Sequence, residues 1–260
     1  MALAEFIIDT KRFSIETLKQ LTQTPHTLKL DNAVVDIVSK NRAFLERKLA
    51  EPNARYYGIN TGFGALCDVK ISNENIEQLQ ENLVMSHACG MGDEVKPEVA
   101  KLMLLLKIKG LSLGSSGVCV ETIQKLVDFY NADVIPLIWE VGSLGASGDL
   151  APLAHMSLPL LGMGEVRYKG ERMKTADALK QANIQSIKLH SKEGLALLNG
   201  TQFMSAWGSF SVMESERVEK LADLTAAISV DAFNAQTAPF HPAIQKIRNH
   251  TGQMESAANV

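Results

Sequence analysis

The sequence predicts a mainly α-helical protein: a helical N-terminal region, the opening of a long central helical bundle, and one small β-hairpin. Three observations carry that expectation. Leu, Ala and Met are plentiful while aromatic residues make up only 6% of the 260 residues, a balance that favours helix. Apolar residues recur at helical spacing through most of the chain. One such pattern, from Gln202 to about residue 235, is longer than an ordinary globular helix and fits a bundle.

The elements follow in order. In "NENIEQLQENLVMSHACGMG", Ile76, Leu79, Leu83, Val84 and His87 share one face, at offsets of 3, 7, 8 and 11 from Ile76. Asn73 or Asn75 can cap its start and Gly90 can stop it. "KPEVAKLMLLLKIKGLSLG" has Pro97 in its first turn and is apolar on most sides, as a buried helix is. "CVETIQKLVDFYNADV" is amphipathic and ends at Asn131. A further helix should run from Leu150 to Leu161, capped by Asp149, with Pro152 harmless in its first turn and Pro159 kinking or ending it. "GMGEVRYKGERM" reads as a hairpin turning at Lys169-Gly170. Phe203, Trp207, Phe210, Val218, Leu221, Leu224 and Ile228 punctuate the long last pattern. The organisation expected is one domain over residues 1–198 and the beginning of a bundle over residues 199–260. The terminal "HPAIQKIRNHTGQMESAANV" opens another segment with neither cap nor polar tail, so a fragment or a processed half is expected.

Composition narrows the function classes. Apolar residues are 46%, charged residues 21% and the net charge −3, which gives no reason to expect nucleic acid or an anionic membrane as partner. The most apolar run is broken by Lys107 and Lys109, short of the roughly 18 uncharged residues of a membrane span. The N-terminus lacks the basic region of a secretory signal. Cys67, Cys89 and Cys119 form no CxxC, which argues against a disulfide framework or a thiolate metal site and for a reducing cytoplasm. No HExxH pair supports zinc. A G-x-S-x-G at residues 110–114 lacks the strand that a nucleophile elbow needs, and "GINTGFG" lacks dinucleotide spacing.

Residues 142–155 read "GSLGASGDLAPLAH". Ala-Ser-Gly between glycines is in most chains a turn ahead of a cap. A second chemistry is open to it. Gly148 has no side chain, so its amide nitrogen can approach the Ala146 carbonyl carbon. Ring closure with loss of two waters gives an imidazolone, and Ser147 becomes an exocyclic methylidene. The product is an electrophile made from the chain alone, and the N-terminus of the helix from Leu150 favours negative charge beside it. Other candidates have plain readings as well. His87 on an apolar helix face can be a hydrogen-bonded core histidine, Tyr56-Tyr57 can be packing, and Asn199-Gly200-Thr201 can be capping.

With this block in place, the chain resembles the aromatic amino acid ammonia-lyases and their aminomutase relatives. "YYGINTGFG", "LQENLVMSHACGMG", "KLMLLLKIKGLSLGSSGV", "GSLGASGDLAPLAH", "KEGLALLNGTQ" and "RNHTGQMESAA" look like family blocks in the family's order. The resemblance implies a methylidene-imidazolone (MIO) formed autocatalytically from Ala146, Ser147 and Gly148, with Asp149 assisting and no external cofactor or metal. It makes residues 1–198 the MIO-bearing domain. It implies that Tyr57 removes the substrate's β-proton and that Asn199 contacts the prosthetic group and substrate. It places His87 at the substrate-sorting position: histidine lyases carry Ser-His there, tyrosine lyases His-Leu and phenylalanine lyases Phe-Leu, and this chain has Ser86-His87. The expected reaction is loss of ammonia from L-histidine to give urocanate, in a cytoplasmic homotetramer. A tyrosine or phenylalanine lyase or aminomutase is the alternative within the class, and a catalytically inactive, truncated assembly protein is the alternative outside it. The resemblance also implies a chain about twice as long, whose second half adds an arginine for the carboxylate and a glutamate near the imidazole. An unperturbed tyrosine, with a pKa of about 10, is a poor base at neutral pH, so such a site has to favour the phenolate.

Overall fold

The computed structural model describes residues 3–51, 55–62, 71–72, 75–143 and 148–260. It separates into two compact units, Met1–Trp207 and Gly208–Val260. Helix dominates the described residues, as the sequence predicts.

The first unit opens on a feature the helical pattern does not announce. Strands β1 (Ala4–Ile8) and β2 (His26–Leu30) pair in parallel, with α1 (Ile15–Gln23) as the connection that parallel strands require. Ser14 starts α1, its Oγ accepting the Thr17 N–H at 3.2 Å. Asp31 starts α2 (Asn32–Leu49) in the same way, through the Ala33 N–H at 2.8 Å. Next come α3 (Ile76–His87), β3 (Met91–Glu94), α4 (Pro97–Leu111) and α5 (Val120–Asn131). Helix α3 ends at His87, three residues ahead of Gly90, and Asn75 stands at its start without a side-chain cap bond.

Helices α4 and α5 pack together at the centre. Val99, Met103, Leu104, Leu105 and Ile108 of α4 and Ile123, Leu126, Val127 and Phe129 of α5 are each at most 1% exposed. The two lysines that interrupt the α4 run are buried as well. Lys109 reaches the end of β1 through the carbonyl and carboxylate of Asp9, and Lys107 turns the other way, into the site described below. Ser112, at the C-cap of α4, donates to the Ile108 carbonyl at 2.8 Å, so the G-x-S-x-G spans the end of a helix and the turn after it, not the strand-to-helix elbow. At the end of α5 the Asn131 carboxamide pairs with both the N–H and the C=O of Leu28, continuing the edge of β2.

Beyond α5 lie β4 (Val134–Pro136), β5 (Trp139–Val141), α6 (Leu150–Ser157) and a 3-10 turn over Leu158–Leu161. The helix thus tightens just before Pro159, as that proline demands. Strands β6 (Glu165–Tyr168) and β7 (Glu171–Lys174) form the expected hairpin, and β4 completes an antiparallel sheet in the order β4-β6-β7, while β3 pairs with β5. Lys169 and Gly170 have φ of +52° and +84°, the two left-handed residues of a tight hairpin turn. Helices α7 (Thr175–Ala182) and α8 (Glu193–Leu198) follow, and then α9 (Gln202–Ala232) begins.

The second unit contains the rest of α9, α10 (Pro242–Arg248) and α11 (Thr251–Asn259). Gln245 is buried there, bonded to the Pro239 carbonyl and to Gln253. Val218, Leu221, Leu224 and Ile228 on α9 are each more than half exposed. No helix among the described residues is long and apolar enough to cross a membrane.

Candidate active site

The site is assembled where α3, α6 and α8 meet. Ala146 and Ser147, the first two residues of the tripeptide, lie outside the described residues; Gly148 and Asp149 lie within them. Gly148 runs parallel to Gly200 of the "NGTQ" turn, and the Asp149 N–H donates to the Gly200 carbonyl at 2.8 Å. The approach is too close for any side chain. Gly148 has φ of +111°, and a Cβ on it would stand 2.3 Å from the Gly200 oxygen. Gly200, with φ of +149°, is equally constrained, because its Cβ would strike the Gln202 carboxamide. The Gln202 Oε1 is buried at this junction without a hydrogen-bond partner among the described residues.

Asp149 corrects one expectation. It precedes α6 but makes no side-chain cap bond to it. Its buried carboxylate accepts instead from the Met204 N–H, at 3.0 Å, in the first turn of α9. One residue therefore ties the tripeptide to two helices: its backbone enters α6 and its carboxylate satisfies an orphan amide of α9.

Asn199 caps the C-terminal end of α8, and its side chain is exposed, with Nδ2 donating to the Leu195 carbonyl at 3.2 Å. The ammonium of Lys107, only 2% exposed, donates to the backbone carbonyls of Ala196 at 2.7 Å and Asn199 at 3.1 Å. Burial pushes that lysine down to about 7.

Tyr57 is 58% exposed on a turn with a rigid base. The Asn60 carboxamide oxygen accepts the Tyr56 N–H at 2.7 Å, and the Thr61 hydroxyl accepts the Gly58 N–H at 3.2 Å. Both of those side chains are buried. Gln80, wholly buried in the middle of α3, connects this turn to α8. Its Nε2 donates to the Gly58 carbonyl at 3.3 Å, and its Oε1 accepts the Leu195 N–H at 3.2 Å.

His87, half-buried at the end of α3, turns its ring back on its own helix. Its Nδ1 lies 2.9 Å from the Leu83 carbonyl and 3.2 Å from the Ser86 hydroxyl. A carbonyl can only accept, so Nδ1 carries the proton, and in the neutral ring Nε2 is left as an acceptor. The turn after it is pinned by His155 of α6, whose Nε2 accepts the Gly90 N–H at 2.9 Å; burial lowers the His155 pKa and keeps that acceptor neutral. A Cβ on Gly90 would crowd His155 and Trp139 at 3.0 Å, and Gly142 packs against Gly90 ahead of the tripeptide.

The structure thus brings Gly148, Asp149 and the Asn199-Gly200 backbone into one junction. It ties Tyr57 and His87 to the same helices through Gln80 and His155. Gln80, Lys107 and His155 are absent from the sequence-based set. Their only signal is chemical incongruity: a polar residue in the apolar stripe of α3, a cation in the apolar run of α4, and a histidine closing the α6 segment.

A helical scaffold with small sheets sets Gly148 against Gly200, and comparison with known proteins identifies the class. The family model described as aromatic amino acid lyase matches residues 13–260. The chain belongs to that family. It is 42% identical over 258 residues to the histidine ammonia-lyase of Caldanaerobacter subterraneus subsp. tengcongensis, which covers 99% of this chain and 51% of the relative. The crystal structure of histidine ammonia-lyase from Trypanosoma cruzi superposes with a TM-score of 0.89 at 34% identity, over 98% of this chain and 50% of that one. The tyrosine aminomutase of Streptomyces globisporus superposes with a TM-score of 0.91 at 31% identity, over 98% of this chain and 48% of that one. The chain spans about half the length of the curated relatives it matches.

Proposed function

We propose that this chain contributes the electrophile, the base and the substrate-sorting histidine of an ammonia-lyase that converts L-histidine to urocanate and ammonia. The observation that carries the reading is the Gly148–Gly200 apposition. The residues fit a backbone-derived prosthetic group, since the last residue of Ala146-Ser147-Gly148 sits in a cradle that a single Cβ would fill. Such a group, when formed, supplies an electrophilic carbon for the substrate's amine. The rest is work for side chains. Tyr57 takes the β-proton at its phenolic oxygen, from a turn held rigid by Asn60 and Thr61. Asn199, on the far side of the Gly148 junction, orients the substrate. The His87 Nε2 accepts a hydrogen bond from the substrate imidazole N–H, a contact that its bonded Nδ1 prepares. Asp149 holds the loop while the ring closes. One C–H and one C–N bond break, a C=C bond forms, and the proton taken at the β-carbon ends on the departing amine, which leaves as ammonia.

Ser86-His87 favours histidine over the tyrosine and phenylalanine substrates of the alternative lyase or aminomutase reading, which the likeness to the tyrosine aminomutase keeps in contention. A homotetramer is part of the proposal, supported by the exposed apolar positions of α9. A cytoplasmic setting is also part of it, supported by the cysteine pattern. The test is intact mass together with turnover. A mass about 36 Da below the encoded one, two waters lost in a backbone modification, and urocanate formed from L-histidine are expected. An unmodified mass and no turnover in the full-length protein would leave the inactive assembly reading in its place.

A further inference from the structure

Lys107 is a buried cation that the proposed chemistry does not use. Its stem lies in the apolar run of α4 beside Met103, Leu104 and Ile108, all 0% exposed. No carboxylate stands within ion-pair distance of it among the described residues. Burying such a group is costly, and packing alone is better served by methionine or leucine. Its partners explain its presence. Ala196 O and Asn199 O belong to the C-terminal turn of α8, where helical carbonyls lack partners of their own.

The Asn199 carbonyl is part of the peptide that leads into Gly200, and the next carbonyl, that of Gly200, receives the Asp149 N–H at 2.8 Å. Successive carbonyls are thus held by two separate elements, one by Lys107 of α4 and one by the residue that follows the tripeptide. We propose that Lys107 is a positioning residue for the prosthetic-group loop: by clamping the Asn199–Gly200 turn it places Gly200 against Gly148, and so sets the rate at which Ala146-Ser147-Gly148 closes its ring. This rests on the reading of the tripeptide given above.

The test compares Lys107→Met, Lys107→Gln and Lys109→Met with the wild type, each as the full chain. Circular dichroism and thermal melting report the fold, and intact mass after timed expression reports the loss of two waters. Lys109 is the control, because it is also a buried lysine of α4 but bonds Asp9 at the end of β1. Lys107→Met should fold and yet slow dehydration on the order of ten- to a hundredfold, the effect of losing a strong hydrogen bond. Lys107→Gln, able to keep one donor bond, should fall between. Lys109→Met should dehydrate at the wild-type rate whatever its melting temperature. If Lys107→Met is dehydrated as fast as the wild type, or if Lys109→Met slows equally, the proposal is overturned while the tripeptide reading stands. If both Lys107 variants fail to fold, Lys107 is a folding residue and the proposal is likewise overturned. A wild-type chain that never loses water overturns the tripeptide reading itself, and this inference with it.

Discussion

Replacing Gly148 with alanine tests the junction on which the functional reading stands. The residue has φ of +111°, a conformation L side chains rarely adopt, and holding alanine there costs about 1–3 kcal/mol. The new Cβ would also sit 2.3 Å from Gly200 O, whereas ordinary contact begins at 3.4 Å, so one backbone must retreat by about 1 Å. That retreat breaks the 2.8 Å bond from Asp149 N–H to Gly200 O, worth about 1 kcal/mol. Together Gly148→Ala should cost about 2–4 kcal/mol, or about 5–15 °C in melting temperature for a chain of this size. The assay pairs thermal melting followed by circular dichroism with intact mass. The variant should keep its helical signal at room temperature, melt earlier, and retain both waters. A variant that melts with the wild type and is fully dehydrated would show that Gly148 and Gly200 do not meet as described, and the case for the tripeptide would lose its structural support.

Three further outcomes are expected. Tyr57→Phe, measured in the full-length enzyme, should lower kcat on the order of 10²–10⁴ with the prosthetic group still formed, the usual worth of a positioned base; unchanged turnover moves that role elsewhere. The double change Ser86→His with His87→Leu should cost about 1–3 kcal/mol in kcat/KM for histidine and shift preference toward tyrosine in competition assays; an unchanged preference makes His87 a structural histidine. Stability should depend on pH through Lys107, whose pKa falls from 10.5 unfolded to about 7 folded. Below pH 7 both states carry the proton and the burial penalty is present in full. As pH rises from about 7 to 10.5 only the unfolded state stays protonated, so stability climbs, by on the order of a few kcal/mol. Denaturant melts at pH 7 and pH 9.5 should show this rise in the wild type and not in Lys107→Met; equal slopes refute it.

What the sequence determined is what short-range physics encodes. The apolar spacing from Ile76 to His87 and from Val120 to Asn131 marks α3 and α5, because a helical face repeats within a dozen residues. Lys169-Gly170 marks the hairpin, because only a turn with two left-handed residues joins those strands so tightly. The Ala-Ser-Gly block and the Ser86-His87 pair are legible for the same reason: their chemistry lies in adjacent residues. The parallel pairing of β1 with β2 is invisible in that view, since neither strand predicts its partner. The carboxylate of Asp149 sits beside α6 in sequence and yet serves Met204, 55 residues away. Gln80 reaches Leu195 across 115 residues, and Lys107 reaches Asn199 across 92. A glutamine in an apolar stripe or a lysine in an apolar run looks like an interruption until the acceptor it satisfies is brought to it. Only the packing of α3, α4 and α6 around α8 decides that these residues are buried with partners, because hydrogen-bond satisfaction in a core is a property of what the chain encloses, not of its local pattern.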